Sequence, residues 1–257
     1  MPPNGRLQLE KLFFWYRTSD PAVVFDCSLD VAPGQFVAIV GESGSGKTTL
    51  LRLACGLVQA DLADSPELGY RIAGRVIYDG TEVERQYDHF SYVPQNCQAA
   101  MISGQSAKES VLLAAKQIDP RQAEKYATFL LATTGIYEAS HLPVERLSGG
   151  QQQRVAICRA LVSRPSFLFM DEPFANLDAT LKPSMTELLQ KLRCEGSLSS
   201  LIIVTHDIEH ATHLADGILA VRASYGVPKY KPWSPPFFRA AIEAYIGGSR
   251  DVFAATG

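Results

Sequence analysis

The 257-residue chain has 24 lysines and arginines, 27 aspartates and glutamates, and a formal net charge of −3. This length suits one large domain or one domain with a sizeable insertion, and so small a charge gives no reason to expect nucleic-acid binding, which usually shows as a basic excess. The longest apolar runs are strand-sized, short of the about 18 residues that cross a bilayer, and the cysteines are predicted to be buried or half-buried thiols in a reducing compartment.

The N-terminal part of the chain is predicted to form strands. Leu7 to Phe14 and Val23 to Val31 have the composition of strands, and Pro33-Gly34 marks a turn. The apolar run from Phe36 to Val40 is typical of a buried parallel strand.

A glycine-rich octapeptide follows that run and fits the pattern G-x-x-x-x-G-K-[ST]: Gly41, Glu42, Ser43, Gly44, Ser45, Gly46, Lys47 and Thr48. We call Gly41 to Thr48 the phosphate loop. A helix is predicted from Thr49 to Ala54, with Gly56 at its end. Backbone N–H groups and the helix dipole would point at phosphates, Lys47 can reach the outer phosphates, and Thr48 can hold Mg²⁺. The chain is therefore expected to bind a nucleoside triphosphate.

The middle of the chain is predicted to change from strand to helix. Its expected elements are a polar surface loop from Ala60 to Tyr70, a strand from Gly74 to Tyr78 with a tight turn at Asp79-Gly80, a strand from Phe90 to Val93, and a helical stretch from Ala107 to about Leu142. Ser106 is a candidate cap for one helix, and Asp119-Pro120 is a candidate start for another.

Helices and strands alternate in the remaining part. The predicted elements are a helix from Gln151 to Ser163, a strand from Phe167 to Met170, a helix from Ala179 to Cys194, a strand from Leu201 to Val204, and a helix from Ile208 to Leu214. This alternation is typical of a parallel α/β structure, so the middle third is expected to be a helical insertion in an α/β core.

Two carboxylates end the strand that begins at Phe167. Residues at the C-terminal end of a strand in an open parallel sheet lie at the ligand crevice. Asp171 is therefore placed to support Mg²⁺, by contact or through water. Glu172 is placed to polarise an attacking water as general base.

A second anion site is predicted at Leu147, Ser148, Gly149, Gly150 and Gln151, because two glycines precede a helix there. At this segment, which we call the signature, the chain resembles the nucleotide-binding subunit of an ATP-binding-cassette (ABC) transporter. The signature matches that family in full, and the motifs follow in the family's order along nearly the whole chain. The resemblance implies a head-to-tail dimer in which each ATP lies between one phosphate loop and the other subunit's signature.

The resemblance also implies roles for residues elsewhere. Tyr16, which lies 25 residues before Gly41, corresponds to the aromatic residue that stacks on adenine, although Phe14 and Trp15 leave the register open. Gln95 corresponds to the glutamine that touches Mg²⁺ and the attacking water.

Two further segments match the family after the acidic pair. Asn176-Leu177-Asp178 corresponds to the loop that passes between subunits, and His206 to the switch histidine that contacts the γ-phosphate. The expected catalytic residues are thus Lys47, Gln95, Glu172 and His206. The expected nucleotide-binding residues are Tyr16 and Gly41 to Thr49. The expected magnesium ligands are Thr48, Gln95 and Asp171, and Asp178 lies in the dimer loop.

The fold implied by the resemblance is the ABC ATPase fold. It is an α/β P-loop NTPase core with a parallel sheet, an N-terminal antiparallel β subdomain and an inserted helical subdomain. Residues 1–257 are expected to form one such domain. Its approximate subdomains are the ATP-binding core at 1–95 and 160–228, the helical signature subdomain at 96–159, and a C-terminal tail at 229–257 that is either packed or a docking segment.

The expected function is ATP hydrolysis, with ATP and Mg²⁺, that powers solute transport across a membrane, with import favoured. The expected partners are transmembrane permease subunits, a second ABC ATPase subunit in a homodimer and a solute-binding protein, without nucleic acid. The expected location is cytoplasmic, peripheral on the inner face of the cell membrane. The transported solute stays open.

Three alternatives compete with this interpretation. A soluble ABC-type ATPase of the iron–sulfur assembly type is disfavoured by the run Gln151 to Arg154. A chromosome-maintenance ATPase would need a long coiled coil, whereas Gln95 and Leu147 are only 52 positions apart. A binding protein with an inactive site is disfavoured because every catalytic position holds a competent residue.

Overall fold

The computed structural model describes residues 5–17, 19–64, 69–84, 89–115, 119–175, 177–224, 227–234 and 239–247. Among these, residues 89–200 form one compact unit, and residues 5–84 and 201–247 form another. We call the first the signature unit and the second the phosphate-loop unit, after the motif that each contains.

The strands of the described residues are β1 (Leu7–Trp15), β2 (Val24–Val31), β3 (Phe36–Gly41), β4 (Arg71–Tyr78), β5 (Thr81–Glu82), β6 (Phe90–Val93), β7 (Phe167–Asp171), β8 (Ser200–Thr205), β9 (Gly217–Ser224) and β10 (Val227–Trp233). The helices are α1 (Lys47–Ala54), α2 (Leu57–Asp64), α3 (Ala107–Ala114), α4 (Pro120–Thr133), α5 (Gly149–Leu161), α6 (Lys182–Cys194), α7 (Ile208–Leu214) and α8 (Arg239–Ile246). Three short 3₁₀ turns lie at Cys97–Ala100, Tyr137–Ala139 and Val144–Arg146.

An antiparallel sheet forms the N-terminal part of the phosphate-loop unit. Its strand order is β2-β1-β4-β5. Residues along β1 alternate between buried and more exposed, as expected where one face of a sheet covers a core. The predicted tight turn between β4 and β5 has positive φ at both Asp79 and Gly80. The expected N-terminal antiparallel subdomain is confirmed.

The α/β core of the same unit is built on β3. This strand pairs in parallel with both β8 and β9, and β10 pairs antiparallel with β9 at the edge. All six residues of β3 and all six of β8 are buried, as expected for strands built on the apolar runs Phe36 to Val40 and Leu201 to Val204. The expected parallel sheet is confirmed.

The signature unit combines a parallel strand pair with helices. β6 and β7 pair in parallel, and α3, α4 and α5 pack on one another. Ser106 and Glu109 form a capping box at the start of α3, and the Asp119 carboxylate accepts hydrogen bonds from two backbone N–H groups at the start of α4. Both helix starts are those that the sequence predicted, since each carries its own capping residue.

The predicted loop from Ala60 to Tyr70 is wrong in its first part, because α2 continues to Asp64. Gly56 has a positive φ and ends α1, and its carbonyl accepts the backbone N–H of Ala60 in the first turn of α2. A salt bridge of 2.6 Å from Arg52 to Asp61 joins the two helices. Residues 65–68 lie outside the described part of the chain.

The elements β9, β10 and α8 are not among the predicted ones. Lys229 to Trp233, in the predicted tail, belong to β10. Pro228 and Pro232 lie in this strand, and an edge strand tolerates proline because its outer N–H groups need no partner.

The prediction of buried or half-buried thiols holds for four cysteines and is wrong for the fifth. Cys27, Cys55, Cys97 and Cys158 are buried, whereas Cys194 is exposed at the last residue of α6. Cys194 is exposed because it lies in the last turn of the amphipathic helix α6, which also contains Lys191 and Arg193.

Candidate functional site

The phosphate loop joins the buried strand β3 to the helix α1. The helix begins at Lys47, two residues before its predicted start, so the loop ends in the first helical turn. The Lys47 side chain is only 5% exposed and its Nζ donates to the carbonyl oxygens of Gly41 (2.9 Å) and Glu42 (2.7 Å). The ammonium group therefore lies over the loop itself, where an anion would sit.

Two glycines of the loop occupy positions that other residues cannot. Gly46 has φ +89°, and a Cβ there would lie 2.5 Å from the carbonyl oxygen of Val23. At Gly41 a Cβ would overlap the carbonyl oxygen of Val221 on β9. The absence of side chains thus lets the loop backbone pack tightly against neighbouring segments of the chain.

A buried hydroxyl group in the loop fits a phosphate ligand. Ser45 is 5% exposed, and its Oγ makes no hydrogen bond to any residue that the structure describes. A buried hydroxyl normally finds a partner, and a phosphate oxygen would supply one. Glu42, Ser43, Gly44 and Thr48 are exposed around it.

The three aromatic residues near the loop differ in burial and in their contacts. Phe14 is fully buried, and Trp15 stacks on Phe13 at 5.9 Å. Tyr16 is 38% exposed, and its hydroxyl forms a hydrogen bond of 2.8 Å with Oγ1 of Thr49 in α1. Of the three candidates, Tyr16 is the one that lies beside the phosphate loop with an accessible ring.

His206 follows β8 at the same sheet edge as the phosphate loop. Val40 in β3 pairs with Thr205 in β8, so Gly41 and His206 come directly after a matched pair in two parallel strands. The His206 side chain is exposed. The next residue is Asp207, whose carboxylate accepts the backbone N–H of His210 and caps α7.

Gln95 and the acidic pair share an edge in the signature unit. Val93 in β6 pairs with Met170 in β7, so the two chain segments that carry Gln95 and Asp171 leave paired parallel strands on the same side. Asp171 is 4% exposed and accepts a hydrogen bond of 3.2 Å from the Tyr92 hydroxyl. Gln95 is exposed.

Glu172 has a left-handed backbone, with φ 47°. This conformation costs free energy in a residue with a Cβ, and such residues gather at functional sites. Its carbonyl accepts the N–H of Ala175 and starts the turn that follows β7. No local sequence pattern indicates this backbone conformation.

The signature surrounds the start of α5, which begins at Gly149 and not at Gln151 as predicted. Ser148 caps the helix: its Oγ accepts the Gln151 N–H, and the Gln151 side chain accepts the Ser148 N–H at 2.9 Å. Both glycines are therefore helical, and their N–H groups belong to the first turn. Leu147 is 6% exposed and anchors the segment, while Ser148 and Gly149 are exposed.

A cavity of about 340 Å³ adjoins the signature, lined in part by Ser148, Gly150 and Gln151. Leu177 also lines it, and the adjacent Asp178 is exposed. The Asp178 carbonyl accepts the N–H of Leu181 in the turn before α6. Asn176 lies outside the described residues.

Two glutamines next to the signature form a network that the sequence reasoning missed. Gln152 donates to the carbonyl oxygens of Val144 (2.9 Å) and Leu147 (3.2 Å), and it accepts a hydrogen bond of 2.8 Å from Gln98. The neighbouring Gln153 accepts one of 2.9 Å from Cys97. The segment after Gln95 is thereby tied to the first turns of α5, and the glutamine run was its only sequence signal.

The site residues fall into two sets, one in each unit. The phosphate-loop unit contains Tyr16, Gly41 to Thr49 and His206. The signature unit contains Gln95, Leu147 to Gln151, Asp171, Glu172 and Asp178.

Comparisons with known proteins agree with these motifs. A family model described as ABC transporter matches residues 24–175. The aliphatic sulfonates import ATP-binding protein SsuB of Ralstonia nicotianae is 35% identical over 237 residues, which cover 90% of this chain and 77% of the relative. The lipoprotein-releasing system ATP-binding protein LolD of a Ruegeria species is 39% identical over 228 residues, which cover 84% of this chain and 98% of the relative.

A solved structure is similar along most of the chain. It is cbiO1 from Clostridium perfringens, part of the ABC transporter complex cbiONQ, with a TM-score of 0.75, 25% identity, and coverage of 89% of this chain and 88% of that one. The chain therefore belongs to the ABC transporter family, and its fold is the ABC ATPase fold. It is an ATP-binding subunit of that family and an ATPase. None of the helices that the structure describes has the length and apolar character needed to span a bilayer.

Proposed function

We propose that this chain is the motor subunit of an importer, in which ATP hydrolysis drives a solute across a membrane. The observation that carries the proposal is the parallel pairing of β6 with β7, because Gln95 follows the end of β6 and the two carboxylates lie at the end of β7. Together with a phosphate loop, this set holds every group that phosphoryl transfer to water needs.

ATP binding is assigned to the phosphate-loop unit. The loop amides, Lys47 and the Ser45 hydroxyl would hold the triphosphate, with Thr48 and Thr49 in the first turn of α1. Tyr16 would stack on adenine, and its exposed ring and its hydrogen bond to Thr49 support this role.

Hydrolysis is assigned to Glu172 with help from Gln95 and His206. Glu172 would orient a water molecule towards the γ-phosphorus and take its proton as the new P–O bond forms. The bond from the γ-phosphorus to the bridging oxygen breaks, and ADP leaves with that oxygen while inorganic phosphate forms. Gln95 and His206 would order the water and the γ-phosphate.

The donor set fits Mg²⁺. Thr48, Gln95 and Asp171 offer a hydroxyl, an amide and a carboxylate oxygen, and oxygen ligands are what this hard cation prefers. When bound, Mg²⁺ neutralises charge on the phosphate oxygens. The Tyr92 hydroxyl would orient the Asp171 carboxylate for this purpose.

A second copy of this chain is the proposed partner at the site. Its signature, Leu147 to Gln151, would complete the ATP site at the γ-phosphate, and Asp178 would lie in the loop that passes between the subunits. ATP would favour the closed pair, and hydrolysis would reopen it, because the two states differ in their affinity for ATP and ADP.

Permease subunits on the inner face of the cell membrane are the proposed receivers of this motion, with a solute-binding protein as a further partner. The relatives include an import protein and a releasing-system protein, so the direction of transport rests on this chain's own motifs. The segments Asp171 to Asp178 and Thr205 to Ala211 resemble those of importers of small solutes, and import is therefore proposed.

Two measurements test the proposal. The rate of phosphate release from Mg·ATP by the purified protein should fall to a small fraction of the wild-type rate in Glu172→Gln. The rate should stay unchanged in Glu138→Gln, because Glu138 is an exposed residue of the same unit and has no proposed role. Normal hydrolysis by Glu172→Gln would overturn the general-base role. Co-purification with membranes should distinguish a transporter motor from a soluble ATPase, for which the protein would stay in the soluble fraction.

A further inference from the structure

Three aromatic rings meet where β1 ends, beside α1. The Tyr16 ring lies edge-on to the rings of Phe14 and Tyr70, with centroid distances of 4.8 Å and 5.3 Å. Phe14 and Tyr70 also meet edge-on, at 5.5 Å. Each ring therefore contacts both others, in the arrangement that aromatic quadrupoles favour.

Strand pairing sets the position of Tyr70. In the antiparallel ladder of β1 and β4, Phe14 lies opposite Ile72 and Trp15 lies opposite Arg71. One further step along this register brings Tyr16 opposite Tyr70. Directly opposed residues are close enough for their rings to touch, so this contact is a consequence of the sheet.

The Tyr16 side chain is restrained both at its hydroxyl group and along its ring. Its hydroxyl is bonded to Thr49 at 2.8 Å, and its ring contacts the fully buried Phe14 and the half-buried Tyr70. Tyr16 nevertheless stays 38% exposed. A side chain with two main torsions is fixed in one orientation by restraints at both ends.

We infer that Tyr70 is a positioning residue for the nucleobase. The inference rests on the proposed role of Tyr16 as the adenine-stacking residue. Tyr70 holds the Tyr16 ring in its binding orientation before ATP arrives, so less side-chain freedom is lost on binding. Loss of the Tyr70 ring weakens binding of the base and leaves binding of the triphosphate unchanged.

The test compares two probes that differ in the base. Calorimetry would give the dissociation constants of a non-hydrolysable ATP analogue and of tripolyphosphate, each with Mg²⁺, for the full chain. The variants are Tyr70→Ala, Tyr70→Phe, Tyr16→Ala and the double variant Tyr16→Ala/Tyr70→Ala. Tyr70→Leu replaces Tyr70→Ala if the latter does not fold, as judged by circular dichroism.

Tyr70→Ala should weaken binding of the ATP analogue about three- to tenfold, the loss expected when one side chain must be ordered on binding. Tripolyphosphate binding should change less than about twofold, because the phosphate loop is untouched. Tyr70→Phe, which keeps the ring, should bind like the wild type. In the Tyr16→Ala background, removal of Tyr70 should have no further effect.

Three results would overturn the inference. If Tyr70→Ala weakens binding of both probes equally, Tyr70 has a general structural role. If Tyr70→Ala binds the ATP analogue with the wild-type dissociation constant, Tyr70 has no role in binding. If Tyr70→Ala weakens binding of the analogue as much in the Tyr16→Ala background as in the wild type, Tyr70 does not act through Tyr16. If Tyr16→Ala itself binds the analogue normally, the adenine role of Tyr16 fails together with the inference. If the wild type binds neither probe, the proposed nucleotide site fails instead.

Discussion

The Tyr92 hydroxyl donates a hydrogen bond of 3.2 Å to Oδ2 of Asp171, across two parallel strands of the signature unit. Asp171 is 4% exposed, so this bond helps to fix a nearly buried carboxylate. Loss of a residue that orients a metal ligand typically costs about 10- to 100-fold in metal affinity or activity.

Tyr92→Phe is therefore expected to raise the Mg²⁺ concentration for half-maximal ATP hydrolysis by about tenfold. The hydrolysis rate at saturating Mg²⁺ should change by a smaller factor than the Mg²⁺ requirement, because Glu172 is intact. Tyr137→Phe, which alters an exposed tyrosine of the same unit, is the matched control. An unchanged Mg²⁺ requirement in Tyr92→Phe would contradict the proposed role of Asp171.

The left-handed backbone of Glu172 predicts that a side chain at this position lowers the free energy of unfolding. Glu172→Gly should raise the free energy of unfolding relative to Glu172→Ala by about 1 kcal/mol, because glycine adopts φ 47° without strain. Urea denaturation of both variants measures the difference, and both should lack ATP turnover. A less stable glycine variant would show that the conformation is not strained.

Capping and ligand binding can be separated at Ser148. Ser148→Ala removes the cap of α5 and should lower stability by about 1 kcal/mol. Ser148→Asp keeps a good capping residue but adds a carboxylate where the partner's γ-phosphate is proposed to lie. It should unfold like the wild type in a thermal melt and yet fail to dimerise with ATP. Normal dimerisation of Ser148→Asp would argue against the proposed role of the signature.

The thiols should differ sharply in reactivity. Burial raises the pKa of Cys27, Cys55 and Cys158 to about 12 and that of Cys97 to about 11. A disulfide reagent attacks the thiolate, so at about pH 8 the folded chain should react at Cys194 alone and the denatured chain at all five cysteines. Cys194→Ser should abolish the fast reaction; a persistent fast thiol would mean that a buried cysteine is accessible.

The same pKa shifts predict how stability depends on pH. The folded state favours the neutral form of these thiols, so their contribution is complete below the ordinary thiol pKa and is lost as pH rises towards the raised values. Urea unfolding at increasing alkaline pH should show this decline. Cys27→Ala should make the free energy of unfolding decline less steeply with pH.

Much of the fold follows from local sequence signals. The apolar runs of β3, β7 and β8 predicted buried strands, and Ser106 and Asp119 marked the starts of α3 and α4, because each signal is physically self-contained. β10 escaped prediction because its prolines suit only an edge strand, and edge position depends on the whole sheet. The helix α2 was missed because Gly56 ends one helix and directly precedes the next.

The candidate site divides in the same way. Its motifs are contiguous in sequence, so the phosphate loop and the signature could be recognised from residue order. The contacts of Tyr92 with Asp171 and of Tyr70 with Tyr16 join distant segments, and no local pattern reveals them. The contact of Gln98 with Gln152 also joins distant segments, and the glutamine run is its only sequence signal. The roles of the individual site residues stay predictions.

The most direct test of the central claim is the molar mass of Glu172→Gln, measured by size exclusion with light scattering with and without ATP and Mg²⁺. A variant that binds ATP but does not hydrolyse it should shift from monomer to dimer only when both are present, and Ser148→Asp in the same background should block the shift. A protein that binds ATP and stays monomeric under these conditions would contradict the shared ATP site of two identical chains.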